Sequence, residues 1–404
     1  MDETIQLFLA VLASALKGKR PATQDISAAQ WRSLFHLATI HNVLPLFYEA
    51  LYDQPSLAAD PALLSTMRQN ARWQVSTQIV RTVEFLELND RLTAAGIKPL
   101  VVKGIVCRSL YPQPDHRPSS DEDVWISPEA FATCHSVLTA FGMAPQGDTT
   151  AYEVPYRKDT SPIYIELHKS LFPPENEAYG NLNRFFDDAQ ARAVAMNIQG
   201  HTVYTMSPTD HLFYLICHAF KHFLHSGFGI RQVCDIALYA AQYDQDVDWT
   251  GILAHCQAIR AEKFAAAVFA IGQRHLDIPM PKIWQSISVD ERPMLWDLLG
   301  GGLYGDANMS RKHSSNITLE AIAAQKAGKK ARHGLWASVF PSATKLEGRY
   351  PYLKKHPYLL PVAWCSRLLQ YGQEIRTSQN NRATDALKIG AERVALLKLY
   401  EIIE

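Results

Sequence analysis

The sequence is short of the features that mark several protein classes. It has six cysteines among 404 residues and no Cys-x-x-Cys pair, so we expect neither a disulfide framework nor a cysteine-rich zinc site. No apolar run reaches the ~20 residues that a membrane-spanning helix needs, and the acidic start of the chain differs from a secretory signal. We therefore expect a cytoplasmic protein with reduced thiols and no membrane partner.

The sequence also lacks an excess of charge. The 40 Lys and Arg residues balance the 40 Asp and Glu residues, which argues against a surface that binds nucleic acid or anionic lipid as a whole. Basic residues gather between positions 311 and 332, where either a local polyanion contact or a solvated flexible segment is possible. There is no P-loop, no Gly-x-Gly-x-x-Gly turn and no Gly-x-Ser-x-Gly elbow, which excludes the commonest nucleotide and hydrolase signatures.

Hydrophobic periodicity divides the chain into four predicted parts. Residues 1–95 show helical spacing throughout, and Ile79, Val83 and Leu86 share one helical face. Residues 96–206 mix short strands with helices, and residues 207–300 again show helical spacing. Residues 301–404 comprise a flexible basic segment followed by a helical tail. The sequence therefore predicts the α+β fold class, with helical regions on both sides of a central sheet.

Several strands are predicted within the central part. Residues 98–103 form a short apolar run that ends at Gly104, and residues 122–126 form a second. Residues 152–157 and 163–168 alternate as antiparallel strands do, with residues 158–162 as the turn between them. Residues 201–205 form another strand candidate.

The most informative stretch is an acidic triplet that leads into a strand. Because residues two apart on a strand point to the same side, Asp121 and Asp123 project together and Glu122 projects from the other face. Two adjacent carboxylates repel each other unless a cation lies between them, and Mg²⁺ is the cation that prefers such ligands. Glu166, on the later strand, completes a three-carboxylate site if the two strands pair. The alternative is a solvated acidic edge without a function.

Two further features accompany the carboxylates. Lys103 and Gly104 lie at a strand-to-helix junction, where backbone amides can receive phosphate. Arg117 lies just before the acidic pair and can neutralise phosphate charge. These features favour a phosphate-handling site over an isolated acidic edge.

This set of motifs resembles a known family. The Lys103-Gly104 turn, the Tyr111-Pro112 pair, Arg117, the Asp-x-Asp strand and the later Glu166-Leu167-His168 run are similar to those of the uncharacterised bacterial nucleotidyltransferases. That family belongs to the DNA polymerase β-like superfamily. The resemblance extends in scattered blocks over about residues 96–370. In the superfamily the phosphate turn is usually Gly-Ser or Gly-Gly and the third acid is commonly Asp, so Lys103-Gly104 and Glu166 are departures.

The resemblance implies a small mixed-sheet nucleotidyltransferase core flanked by helical regions. It implies that Asp121, Asp123 and Glu166 bind two Mg²⁺ ions, with Mn²⁺ as a possible substitute. It also implies that Lys103, Gly104 and Arg117 contact the triphosphate of an NTP, with ATP as the default. A nucleoside monophosphate would then pass to an acceptor hydroxyl or phosphate, with release of pyrophosphate. The acceptor, a small molecule, a protein or an RNA, and the oligomeric state are not readable from the sequence.

Two alternatives to transfer stay open. A degenerate family member would bind nucleotide or a partner without chemistry. A metal-dependent phosphohydrolase would use histidines, since His218, His222 and His225 share a helix face, but no further ligand stands at a diagnostic spacing. His168 shares a strand face with Glu166. We list the possible substrate contacts as His168, His222, Arg231 and Asp235.

Overall fold

The structure, a computed structural model, describes residues 2–21, 26–302, 343–346, 350–366 and 383–404, apart from Glu175 and Glu177, together with residues 318, 319 and 322. These residues form a mixed fold in which helices surround one seven-stranded sheet. The predicted α+β fold class is confirmed. All six cysteines lie among the described residues and carry free thiols.

Helices fill the N-terminal region, as the sequence predicts. They are α1 (Glu3–Ala15), α2 (Ala28–Ile40), α3 (Leu44–Leu51), α4 (Pro55–Ala58) and α5 (Pro61–Ala94). Side-chain caps set several of their starts, because the first amides of a helix have no partner within it. Asp2 accepts from the Thr4 amide at 3.0 Å, and Ser27 forms a capping box with Gln30.

The burial of α5 differs from the sequence expectation. Ile79 and Val83 share a helical face with the buried Leu86, yet their side chains are 45% and 58% exposed. The polar residues Gln78 and Asn89 are buried instead, and both hydrogen-bond backbone groups outside the helix. Hydrogen bonding offsets the cost of burying these amides. As a result, α5 packs against the sheet and its loops through a partly polar face.

The sheet has seven strands in the order β3-β4-β5-β2-β1-β7-β6. The strands are β1 (Leu100–Val101), β2 (Glu122–Trp125), β3 (Ala144–Pro145), β4 (Glu153–Arg157), β5 (Tyr164–His168), β6 (Val194–Ile198) and β7 (His201–Thr205). Strand β2 pairs in parallel with β5, and β1 pairs in parallel with β7, while the other neighbours are antiparallel. The predicted hairpin of β4 and β5 is confirmed. The predicted strand over residues 98–103 is reduced to two residues, and β3 and β6 were not expected.

Two of the remaining helices lie between strands along the chain, and the others come after β7. They are α6 (Gly104–Arg108), α7 (Phe131–Ala140), α8 (Pro208–Leu224), α9 (Ile230–Gln242), α10 (Trp249–Ala258), α11 (Glu262–Leu276) and α12 (Arg292–Gly301), followed by Ala343–Leu346, residues 360–366 and Ala383–Leu399. Short 3₁₀ turns lie at Pro114–His116, Pro128–Ala130, Leu182–Phe185, Lys282–Ser286, Pro351–Lys354 and Pro357–Leu359. Among the described helices, none is both long and apolar enough to cross a membrane.

The chain divides into two compact units. The first comprises Met1–Asn176, Gly180–Ala219 and Ile230–Leu295 and contains the whole sheet. The second comprises Glu177–Tyr179, Phe220–Gly229 and Trp296–Glu404 and has a small core of its own around Leu353. The division into four parts stays a prediction. The predicted basic segment of residues 301–335 lies almost entirely outside the described residues.

Candidate functional site

Pairing of β2 with β5 brings the predicted carboxylates together. The parallel register places Asp123 opposite Glu166 and Trp125 opposite His168. Since side chains alternate along a strand, Asp123, Glu166 and His168 project from the same face of the sheet. One ligand atom from each of these three residues lies within 4.8 Å of the others, so the group has the size of a metal site.

Asp123 is fully ionised in this setting. It is 2% exposed, its Oδ2 lies 2.7 Å from Lys103 Nζ, and its Oδ1 lies 3.1 Å from His168 Nε2. Burial by itself raises the pKa of Asp123, but the charge of Lys103 and the hydrogen bond from His168 outweigh it and hold that pKa well below its usual range. Asp123 therefore carries a negative charge at neutral pH.

Glu166 titrates very differently. Burial, followed by the charges of Asp123 and Asp121, raises the pKa of Glu166 to about 8. At neutral pH this carboxyl group keeps its proton, although its Oε2 lies only 3.8 Å from His168 Nε2. The site therefore has more carboxylates than the nearby positive charge can stabilise, which is the condition that a bound cation relieves.

Asp121 lies beside this group rather than within it. It immediately precedes β2, is half-buried and accepts a hydrogen bond from Ser120 Oγ at 3.1 Å. Its charge contributes to the raised pKa of Glu166, so the two carboxylates interact. Of the described residues, the close group of three is Asp123, Glu166 and His168, whereas the sequence predicted Asp121, Asp123 and Glu166.

Glu122 points to the opposite face, as strand alternation predicts. Its Oε1 accepts from Arg108 Nη1 at 2.5 Å, and its Oε2 accepts from the Ile105 amide at 2.8 Å. Gly104 makes this approach possible: its φ is +39°, and a Cβ there would lie 1.7 Å from Glu122 Oε2. The turn predicted to receive phosphate thus already faces a protein carboxylate, and the nucleotide contact of Gly104 stays a prediction.

Helix α8 contributes His218 and Tyr214 to the surroundings of the site. His218 Nε2 lies 3.2 Å from Lys103 Nζ, which joins the helix to the Lys103–Asp123 pair. Tyr214, one turn earlier, is buried, and burial together with the charge of Asp123 raises its pKa well above the usual value. His222 lies one turn after His218 on α8. Within the described part of the chain, no three of these helix histidines and their neighbours form a metal-sized group.

Arg117, Arg231 and Asp235 form a buried network away from the carboxylates. Arg117 donates from Nε and Nη2 to Asp235 at 2.8 and 2.5 Å, and Tyr111 donates to the same carboxylate at 2.7 Å. Arg231 donates to the Pro118 carbonyl. These bonds attach the loop that leads into Asp121 to helix α9. The substrate contacts of these residues stay predictions, and the observed contacts are structural.

Sequence reasoning missed two members of the site. Glu153 pairs with His168 across β4 and β5, and its Oε2 lies 3.8 Å from His168 Nδ1. The predicted hairpin comes within one residue of this signal, because a symmetric turn at residues 158–162 would place 153 opposite 167, whereas the observed pairing of Arg157 with Tyr164 places Glu153 opposite His168. Tyr214 had no local signal, since its position depends on how α8 packs on the sheet.

Comparisons with known proteins show the family of the chain. The family model described as "Uncharacterised nucleotidyltransferase" matches residues 27–277, which is more than half of the chain. No curated protein is significantly similar in sequence. One similar solved structure is an antigenic nucleotidyltransferase-like protein from Paracoccidioides brasiliensis, at 14% identity over 51% of this chain and 94% of that chain, with a TM-score of 0.31. The matched residues include the whole sheet and its carboxylates, and the chain belongs to the uncharacterised nucleotidyltransferase family.

Proposed function

We propose that this protein is a Mg²⁺-dependent nucleotidyltransferase of the DNA polymerase β-like superfamily. It transfers a nucleoside monophosphate from an NTP, with ATP as the default, to an acceptor hydroxyl or phosphate and releases pyrophosphate. The observation that carries the proposal is the pairing of Asp123 with Glu166 on adjacent parallel strands, with His168 beside them. The family match supports the same reaction class.

The residues of the site suit a divalent cation. Two carboxylates and an imidazole offer ligand atoms within 4.8 Å of one another, and Asp121 supplies further negative charge nearby. Asp123 and Glu166 would hold Mg²⁺, and His168 is a donor that Mn²⁺ also accepts. When bound, the cation neutralises charge on the triphosphate and on the leaving pyrophosphate.

The chain's own residues supply the rest of the chemistry. Lys103 Nζ, now 2.7 Å from Asp123, contributes positive charge where the triphosphate enters. With a cation bound in the site, Glu166 would be ionised, and its carboxylate would then take up the proton of the acceptor hydroxyl as a general base. His168 fixes the orientation of Asp123 through its 3.1 Å hydrogen bond. The acceptor oxygen then attacks the α-phosphorus and pyrophosphate leaves.

The acceptor is a small molecule, a protein or an RNA, and the reaction takes place in the cytoplasm. Label transfer tests this proposal. Each α-labelled NTP is incubated with Mg²⁺, cell extract and either wild-type protein or the double variant Asp121→Ala/Asp123→Ala. Transfer by the wild type alone is the expected result. Asp159→Ala, in the exposed turn between β4 and β5, is the matched control and should transfer label normally.

Each alternative function predicts a different outcome of this experiment. Nucleotide binding without label transfer would identify a degenerate member of the family. Release of phosphate that persists in the double variant would indicate a phosphohydrolase and would overturn the carboxylate mechanism. Transfer by the double variant at the wild-type rate would overturn it as well.

A further inference from the structure

A cavity lined by two arginines lies at the start of β2. Its volume is about 350 Å³, and its lining includes Arg81, Ser120, Arg157, Ser161 and Tyr164. Arg81 comes from helix α5 and Arg157 from the end of strand β4. The cavity is separate from the buried network of Arg117 and Asp235, which none of its lining residues joins.

The cavity lies at the end of the sheet where β2 and β5 begin, beside the face that carries the carboxylates. Arg157 is paired with Tyr164 across β4 and β5, and Tyr164 lies two residues before Glu166 on the same side of β5. Ser120 is the residue before Asp121. A molecule in the cavity is therefore adjacent to the acidic group and can extend into it.

The wall of the cavity is held firmly. Arg81 donates from Nε to the Pro162 carbonyl at 2.9 Å and from Nη1 to the Ser119 carbonyl. Glu84, one turn further along α5, accepts from Ser161 Oγ and lies 3.2 Å from Lys158 Nζ. Helix α5 thus attaches both the hairpin turn and the loop before Asp121, so the cavity does not need to form when a ligand arrives.

The two arginines keep donors available. Within the described residues, Arg81 Nη2 makes no hydrogen bond. Arg157 is exposed and, among the same residues, has neither a hydrogen bond nor an ion pair. By contrast, Arg108 and Arg117 are buried and paired with carboxylates. Two guanidinium groups beside a serine hydroxyl match the oxygens of a phosphate, which arginine binds through paired hydrogen bonds.

We infer that this cavity is a phosphate-binding subsite that uses Arg81 and Arg157. The inference rests on the proposed function for its biological meaning, since the phosphate can belong either to the triphosphate tail of the NTP or to the acceptor. The sequence analysis predicted that Arg117 neutralises phosphate charge. The inference gives that role to Arg81 and Arg157. In either case the bound phosphate lies next to the reacting group.

Calorimetric titration with inorganic tripolyphosphate in metal-free buffer tests the subsite without any need for transfer activity. Arg157→Gln should weaken binding about tenfold or more, because a hydrogen bond between charged groups is lost. The affinity of Arg157→Lys for tripolyphosphate should lie between those of the wild type and Arg157→Gln, since lysine keeps the charge but lacks the paired N–H donors of a guanidinium group. Arg32→Gln, at an exposed arginine of α2, is the matched control and should bind as the wild type does.

A second titration distinguishes the two sources of the phosphate. Inorganic phosphate is added to protein saturated with a non-hydrolysable ATP analogue. If the analogue abolishes the Arg157-dependent binding, the subsite holds the triphosphate tail; if that binding persists, the subsite holds an acceptor phosphate. Equal affinity of wild type and Arg157→Gln for tripolyphosphate would overturn the inference, as would equal weakening by Arg32→Gln. Failure of label transfer with intact tripolyphosphate binding would instead overturn the proposed function alone.

Discussion

Glu122 and Asp123 are neighbours on one strand, both almost fully buried, yet their surroundings differ sharply. Glu122 faces Arg108 and the Ile105 amide, so its charge is matched by one cation and one backbone donor. Asp123 faces Lys103, but it shares that cation with Glu166, whose carboxyl group stays protonated at neutral pH. On one face of β2 the protein itself balances the carboxylate charge. On the other face the carboxylates need an added positive charge, either a proton or a cation.

This difference distinguishes the two carboxylates better than burial does, and it supports the proposed role of Asp123. Both residues are 2% exposed, so exposure does not distinguish them. What distinguishes them is whether the protein itself supplies enough positive charge and enough donors. If the distinction is correct, replacing Asp123 should damage the reaction, whereas replacing Glu122 should damage the stability of the fold.

Asp123→Asn should abolish nucleotide transfer. Loss of the charge that binds the cation should lower the rate about a thousandfold or more, equivalent to about 4 kcal/mol. Initial rates of label transfer measure this effect, with circular dichroism to confirm that the variant is folded. A folded Asp123→Asn protein with more than a tenth of the wild-type rate would remove Asp123 from the mechanism.

Glu122→Gln should damage stability instead. It leaves Arg108 buried without its carboxylate, which costs about 3–5 kcal/mol in the free energy of unfolding. Urea denaturation measures the loss. The double variant Glu122→Gln/Arg108→Met is the control, and it should recover much of that loss because neither charge remains. A loss below about 1 kcal/mol in the single variant would contradict a structural role for the pair.

His211, on α8, is a buried histidine whose ring has hydrogen-bond partners within the protein. Its ring bonds the Val102 carbonyl at 2.7 Å and Thr205 Oγ1 at 3.1 Å. Burial lowers the pKa of His211 to about 4, and the bond to Val102 offsets this only in part. Between the unfolded pKa of about 6.5 and pH 4, the unfolded chain binds a proton here that the native protein does not, so stability falls as the pH falls.

The expected contribution is about 2 kcal/mol of unfolding free energy lost between pH 7 and pH 5. Denaturation curves of wild type and His211→Gln at both pH values isolate it from the other titrating groups. The variant should lose less stability than the wild type over this interval by about that amount. Parallel pH dependence in the two proteins would mean that His211 is already accessible to protons.

Addition of a divalent cation should stabilise the face of β2 that carries Asp123. At about ten times its dissociation constant, Mg²⁺ or Mn²⁺ adds about 1.4 kcal/mol to the native state, which raises the melting temperature by about 2 °C. Thermal melts of protein freed of metal, with and without added Mg²⁺ or Mn²⁺, measure this shift. Asp123→Asn should show no shift, while Asp159→Ala should shift as the wild type does.

Much of the fold was predictable because it depends on local patterns. Alternation of side chains over residues 152–168 identified the β4–β5 hairpin, and the caps near Ser207 and Pro208 preceded α8. Strands β3 and β6 were not predicted, because both are largely exposed and carry no alternating apolar pattern. The exposed residues of α5 escaped because a helix that packs through hydrogen-bonded polar side chains breaks the usual relation between apolarity and burial.

The site was predictable only as far as strand geometry reaches. Alternation placed Asp121 and Asp123 on one side and Glu122 on the other, and pairing with Glu166 followed once β2 and β5 lay side by side. The partners of Arg117 were not predictable, because Asp235 is 118 residues away and meets it through tertiary packing. The same limit applies to His218, which reaches Lys103 from a different helix.

Lys103 gives the resting protein a cation of its own. Its ammonium group lies between Asp123 Oδ2 at 2.7 Å and His218 Nε2 at 3.2 Å, so the key carboxylate is already oriented and charged before any substrate arrives. If Asp123 binds a divalent cation, as we propose, that binding would be an exchange with the Lys103 ammonium group rather than the filling of an empty site. The binding free energy that a titration measures would then be the difference between the interactions of the two cations with Asp123. The displaced ammonium group would become available to the anion that enters with the metal.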